Sequence, residues 1–101
     1  MQNGQPPARR TVVVDIERER EYWRQHYQAL PRARAMRSFA RYWQVLCSAY
    51  DVYLNHPRAD ADEGLRLFLQ REGVVASPLT GPEACEVFAR VWGRIQGMVA
   101  E

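Results

Sequence analysis

The sequence predicts an all-α fold, a small four-helix bundle, and three observations carry that prediction. Apolar residues at Met36, Phe39, Trp43, Leu46, Tyr50 and Tyr53 advance in alternating three- and four-residue steps, which is one stripe of one long helix. A second stripe near the C-terminus, Ala84, Phe88, Val91, Ile95 and Met98, repeats the alternation. Residues that cap helix starts recur at Asp15, Asp60 and Thr80. A chain of 101 residues buries roughly two thirds of its unfolded surface, enough for one core.

The first helix is expected over about 16–30. Asp15 caps it, Glu17 and Glu19 complement its positive start, and Ile16, Trp23, Tyr27 and Leu30 form its apolar stripe with His26 alongside. Pro31 stops it. The second helix is expected over about 32–55, closed by His56-Pro57. The third spans about 61–72: Asp60 and Glu63 make a capping-box pattern, Leu65, Phe68 and Leu69 face the core, and Gly73 follows as the C′ residue. Residues 74–79 read as a loop. The fourth spans about 81–98, with Thr80 and Glu83 as a second capping box, Pro82 in its first turn and Trp92 beside the stripe. Residues 1–10, rich in Gln, Asn, Gly and Pro, read as a disordered arm. The β-branched run 11–14 leads into a single helical domain over 11–101.

Composition narrows the class. Apolar residues make up 47% and charged residues 26%, the balance of an ordinary soluble protein. No apolar run approaches the ~18 residues of a membrane span. No apolar segment precedes Arg9-Arg10, so the start is not a secretory signal, and the expected address is a bacterial cytoplasm with no membrane attachment. Cys47 and Cys85 lack metal-ligand spacing and are expected as buried free thiols. Charge is uneven: residues 1–50 carry nine Arg against four acids, and residues 51–101 carry five Arg against eight. Such a bipolar molecule is suited to pairing with itself or to offering its basic half to an anion.

Two features bear on function. Arg34, Arg37 and Arg41 fall at i, i+3 and i+7 of the expected second helix, a ridge with Tyr42 and Trp43 nearby. Guanidinium forks bind phosphate, and rings stack on bases. Against that, the near-neutral net charge of +2 falls short of the strongly basic profile of nucleic-acid binders, and a solvated or acid-paired face is the plainer reading, one that could meet the acidic patch Asp60, Asp62 and Glu63 within the chain or on a second copy. Aromatic residues also crowd the first two helices. If Trp23 and Trp43 face inward, Tyr22 and Tyr42 point roughly 100° away, toward an exposed patch. Tyr, Trp and Arg together are enriched at interface hot spots.

Catalytic signatures are lacking in the sequence: it has no Gly-rich phosphate loop, no GxSxG and no Cys/His motif, and Ser38, Ser48 and Ser77 lack recognisable partners. His26 and His56 have no metal-ligand spacing, so no metal and no cofactor are expected. A helix-turn-helix fails because 55–60 is long for that turn and the next helix starts acidic.

Tyr22-Trp23-Arg24, His26-Tyr27, Pro31, Tyr42, Tyr50-Asp51-Val52-Tyr53, His56-Pro57, Asp62-Glu63, Leu79-Thr80, Ala84 and Trp92-Gly93-Arg94-Ile95 occur in that order. In these landmarks the chain resembles a family of small Tyr/Trp-rich, all-helical bacterial proteins of unknown function, over roughly residues 16–98. It departs from the family's Tyr-rich centre at Gln44, Leu46, Cys47, Ser48 and Ala49. The resemblance implies a helical fold and passes on no active site.

The expectation is therefore a non-enzymatic, self-associating or protein-binding module, its partner a second copy (a homodimer) or another protein. Its expected surface is Tyr22, Arg34, Arg37, Arg41 and Tyr42. The alternative is a nucleic-acid-binding accessory protein using the same ridge. A third reading is a small-ligand pocket lined by Trp23, Trp43 and Trp92.

Overall fold

Asp15 begins the first helix as its position predicts: its carboxylate accepts the Arg18 amide at 3.2 Å. The computed structural model describes residues 14–99, so the expected arm (1–10) and most of the lead-in lie outside the described residues. All regular structure among the described residues is helical. It comprises α1 (Ile16–His26), a 3₁₀ turn (Tyr27–Ala29), α2 (Ala33–Met36), α3 (Phe39–Asn55), α4 (Ala61–Leu69), α5 (Glu72–Val75) and α6 (Gly81–Val99). The all-α class is as expected. The expected count is not: two one-turn helices join the four longer ones.

The expected second helix is cut at Arg37. That residue takes a left-handed conformation, φ 73°, and closes α2 by donating its amide to the Arg34 carbonyl at 3.1 Å. Ser38 then restarts the chain as an N-cap, its Oγ accepting the Arg41 amide at 3.2 Å. Arg32, φ 56°, opens α2 in the same left-handed region. Met36 and Phe39 therefore belong to different helices, although their spacing kept the stripe in phase.

The core surrounds α3, which contacts α1, α2, α4, α5 and α6. Its innermost residues are Tyr42, Val45, Leu46, Ala49, Tyr50 and Val52, whereas Phe39 and Trp43 are half-buried. The buried face is thus turned by about 60° from the stripe the spacing suggested. On α6, Ala84, Val87, Phe88, Val91, Trp92 and Ile95 are buried, close to the expected stripe. The Thr80–Glu83 box closes reciprocally, at 3.0 and 3.3 Å, and Asp60 accepts the Glu63 amide at 2.8 Å.

Around α4 the details differ. The helix stops at Leu69, and Leu69 itself is exposed while Leu65 is half-buried. Gly73 lies inside α5 instead of capping α4. At Gly64 the side chains of α6 come close: an added Cβ would stand 3.0 Å from Trp92 Cη2 and 3.1 Å from Phe88 Cζ.

Candidate functional site

Two polar constructions stand out, one inside the molecule and one on its surface. The inner one centres on Glu19, a helix carboxylate only 1% exposed. Burying an ionised carboxylate is costly unless its oxygens are bonded, and here they are. Oε1 accepts Tyr50 Oη–H at 2.5 Å and Arg94 Nε–H at 2.6 Å, and Oε2 accepts Arg94 Nη2–H at 3.0 Å. Tyr50 Oη in turn accepts Trp23 Nε1–H at 2.9 Å. Residues from α1, α3 and α6 thus meet at one carboxylate. Burial and the bond to Glu19 push the Tyr50 phenol above its ordinary value, and the bond to Glu19 raises Arg94.

Arg94 also covers Tyr22. Its guanidinium carbon stands 3.6 Å from the Tyr22 ring centroid, and the His26 ring stacks on Tyr22 at 4.1 Å, 18° from parallel. Two groups that close cannot share a face, so both faces of Tyr22 are covered. His26 Nδ1 lies 2.7 Å from the Tyr22 carbonyl oxygen, an acceptor only, so Nδ1 carries a proton. Tyr22, Trp23, His26, Ala29, Arg90 and Arg94 border a shallow cleft of about 290 Å³.

The surface construction is the turn around α2. Tyr42, 0% exposed, donates its hydroxyl to the Pro31 carbonyl at 2.5 Å, and Leu30 and Met36 are buried on either side. Arg32 pairs with Glu83 at 2.7 Å, fastening the turn to the capped start of α6. The Thr80 amide, then Arg32, holds the Glu83 carboxyl below its usual range. Burial raises the Tyr42 phenol, with the Glu83 charge adding to it. So pinned, the turn presents Arg34 and Arg37, which with Tyr27, Gln28 and Ala33 line a cleft of about 540 Å³. Among the described residues no carboxylate pairs with Arg34, Arg37 or Arg41.

The expected surface is partly dismantled by this geometry. Arg34 and Arg37 share a cleft, but Arg41 belongs to another hollow, about 280 Å³, with Met36, Gln44, Val45, Gly73 and Ser77. The break at Arg37 is the cause, since it takes Arg41 out of the helical phase of Arg34. Tyr42 is core and not surface, because the rotated face of α3 carries it inward. Tyr22 is half-buried with both faces occupied.

The sequence presents Glu19 as a helix-start charge, Tyr50 as a stripe residue and Arg94 as one of the landmarks, none of them as a site residue. A signal for Glu19 existed: it stands three residues after Ile16 and four before Trp23, on the apolar stripe. The three tryptophans are held in ring contacts: Trp92 stacks on Phe88 at 4.9 Å, Trp43 lies 6.0 Å from Phe39, and Trp23 meets Tyr22 edge-on at 4.9 Å. Cys47 and Cys85 are free and half-buried, and burial raises the Cys47 thiol. Among the described residues no group of three His, Cys, Asp or Glu gathers for a metal ion, and no helix is long and apolar enough to cross a membrane.

No family model matches the chain, and neither a curated protein nor a solved structure matches it.

Proposed function

We propose that this chain is a non-enzymatic binding module that takes an acidic segment of a protein partner in the Tyr27–Arg34–Arg37 cleft. The observation that carries the reading is a pair of guanidinium groups, engaged by no carboxylate among the described residues, held on a pinned turn between two left-handed arginines. Left-handed backbone at a residue with a side chain costs roughly 1–2 kcal/mol, and such strain gathers where a binding geometry is pre-set. Planar guanidinium forks match carboxylates, and a fixed turn loses little freedom on binding. Glu19, the one buried acid among the described residues, has both oxygens engaged by the protein itself, which favours a structural role for it over that of a base. The reading keeps the expected bacterial cytoplasm as its setting and the likeness to the small Tyr/Trp-rich helical family as its background.

Nucleic acid fits this surface less well. Tyr42 is buried, both faces of Tyr22 are covered, and Arg41 has left the ridge, so the platform for stacking bases is reduced. Fluorescence anisotropy of a labelled Asp/Glu-rich peptide and of a labelled single-stranded oligonucleotide tests the choice. The peptide should bind wild type and lose affinity about tenfold or more in R34E/R37E. Tighter oligonucleotide binding with a steep fall in salt would hand the cleft to nucleic acid. Binding of neither would end the proposal.

A further inference from the structure

Charge is divided between the two ends of α3. Arg34 and Arg37 stand just before its first residue, Phe39, while Asp60, Asp62 and Glu63 follow its last, Asn55, at the start of α4. Seventeen helical residues separate the two groups, about 25 Å at 1.5 Å per residue. Long-range pairing between exposed charges is screened well within that distance, so the basic cleft cannot be neutralised by the acidic turn of its own chain. Asp62 is exposed, and among the described residues the Glu63 carboxylate pairs with Arg66 alone, at 3.9 Å with both side chains largely in solvent.

From this polarity we infer that the occupant of the cleft is the Asp60–Glu63 turn of a second copy, in an antiparallel two-fold pair. The inference rests on the acidic-segment reading of the cleft. A two-fold axis across the middle of α3 sets the basic end of each chain against the acidic end of the other, so one operation forms both contacts and closes the assembly. The outward line between the ends fits such a pairing. Ala40, Gln44, Cys47, Asp51 and Leu54 follow the four-three alternation, and all but the half-buried Cys47 are exposed, with Asp51 paired to Arg71 at 3.0 Å and Gln44 bordering the hollow beside Gly73. Antiparallel alignment about Cys47 brings Ala40 opposite Leu54, a large apolar side chain that is 50% exposed. Head-to-tail association in one direction would leave one charged end open on each chain and grow without limit.

Sedimentation equilibrium of the intact chain tests the pairing by charge exchange. Wild type should dimerise at low salt and dissociate progressively as salt rises. R34E/R37E and D62K/E63K should each weaken self-association about tenfold or more, while an equimolar mixture recovers a heterodimer. Mixing restores it because each chain then presents the partner's required charge at both ends. Helicity by circular dichroism shows that the variants fold, and the neutral pair R34Q/R37Q covers any loss caused by the reversed charge. A dimer that mixing does not restore overturns the antiparallel pairing. A wild type that stays monomeric at millimolar concentration also overturns it, and the acidic-peptide titration then separates the two claims. Retained Arg34- and Arg37-dependent peptide binding leaves the cleft reading standing, and its loss removes both.

Discussion

Arg94 grips Glu19 from 75 residues away, with Nε and Nη2 at 2.6 and 3.0 Å from the two carboxylate oxygens. The bond ties the first long helix to the last. A buried ion pair adds little over well-packed apolar residues, but breaking it strands a charge at a cost of about 3–5 kcal/mol. Arg94→Met should therefore lower unfolding free energy by about 3 kcal/mol in urea titrations followed by circular dichroism. The double variant Glu19→Leu with Arg94→Met should recover most of that loss. If the single variant costs no more than the double, the pair is not the tie it looks to be.

Tyr50→Phe probes the same network from its neutral side. The change removes the donor to Glu19 and the acceptor for Trp23 Nε1, and leaves ring packing intact. A hydrogen bond to a charged group is worth about 1.5–3 kcal/mol, so a loss in that range is expected. Tyr42→Phe frees only the Pro31 carbonyl and should cost about 1 kcal/mol. Equal effects would contradict the assignment of a charge-assisted bond to Tyr50 alone.

Alkaline pH should expose both phenols. Tyr42 and Tyr50 sit above their ordinary value of 10.0 in the folded chain, so the folded state favours their neutral forms. Their contribution is complete below pH 10 and is lost as pH rises from 10 toward the folded values. Unfolding free energy should fall above pH 10 by up to about 1.4 kcal/mol per pH unit for each phenol. Tyrosinate absorbance should show two of the five tyrosines ionising only with unfolding. Early, complete titration of all five in the folded chain would remove the basis of this prediction.

Gly64 and Gly93 offer opposite outcomes for one substitution. Alanine gains about 1 kcal/mol over glycine in a helix. At Gly93 no atom lies within 4 Å of the added methyl, so Gly93→Ala should raise stability by up to about that amount. At Gly64 the methyl would meet Trp92 and Phe88 at 3.0 and 3.1 Å, and overpacking of a closed core costs about 1–3 kcal/mol. Thermal melts should thus move upward for Gly93→Ala and downward for Gly64→Ala.

What the chain revealed in advance was whatever rests on local chemistry. Asp15, Asp60 and the Thr80–Glu83 box act within three residues of themselves, and all three cap as expected. The apolar period of α6 could be read because no charge interrupts its buried face. Glu19 was hidden among alternating Glu and Arg, where a buried carboxylate looks like a solvated one until Arg94 is brought to it. The break at Arg37 was hidden for a related reason. A left-handed arginine has no composition signature, and the stripe from Met36 to Phe39 keeps its period across the gap. The fate of Tyr42 followed from that break, since the rotation of α3 depends on how α2 enters it.

Arg37 sets stability against binding. At φ 73° glycine has no side chain to strain, so Arg37→Gly should raise stability by about 1 kcal/mol, less the extra freedom glycine gives the unfolded chain. The same change removes one of the two guanidinium groups in the cleft and should weaken acidic-peptide binding and self-association together. A variant that melts higher yet binds more weakly is the expected result of strain retained for function. Arg34→Gln at the neighbouring position separates the effects. Arg34 has no left-handed backbone, and only its backbone carbonyl takes part in the turn, so its substitution should weaken binding and leave the melting temperature within about a degree or two. If Arg37→Gly gains stability without losing affinity, the left-handed turn is only a way of ending α2, and the cleft does not depend on it.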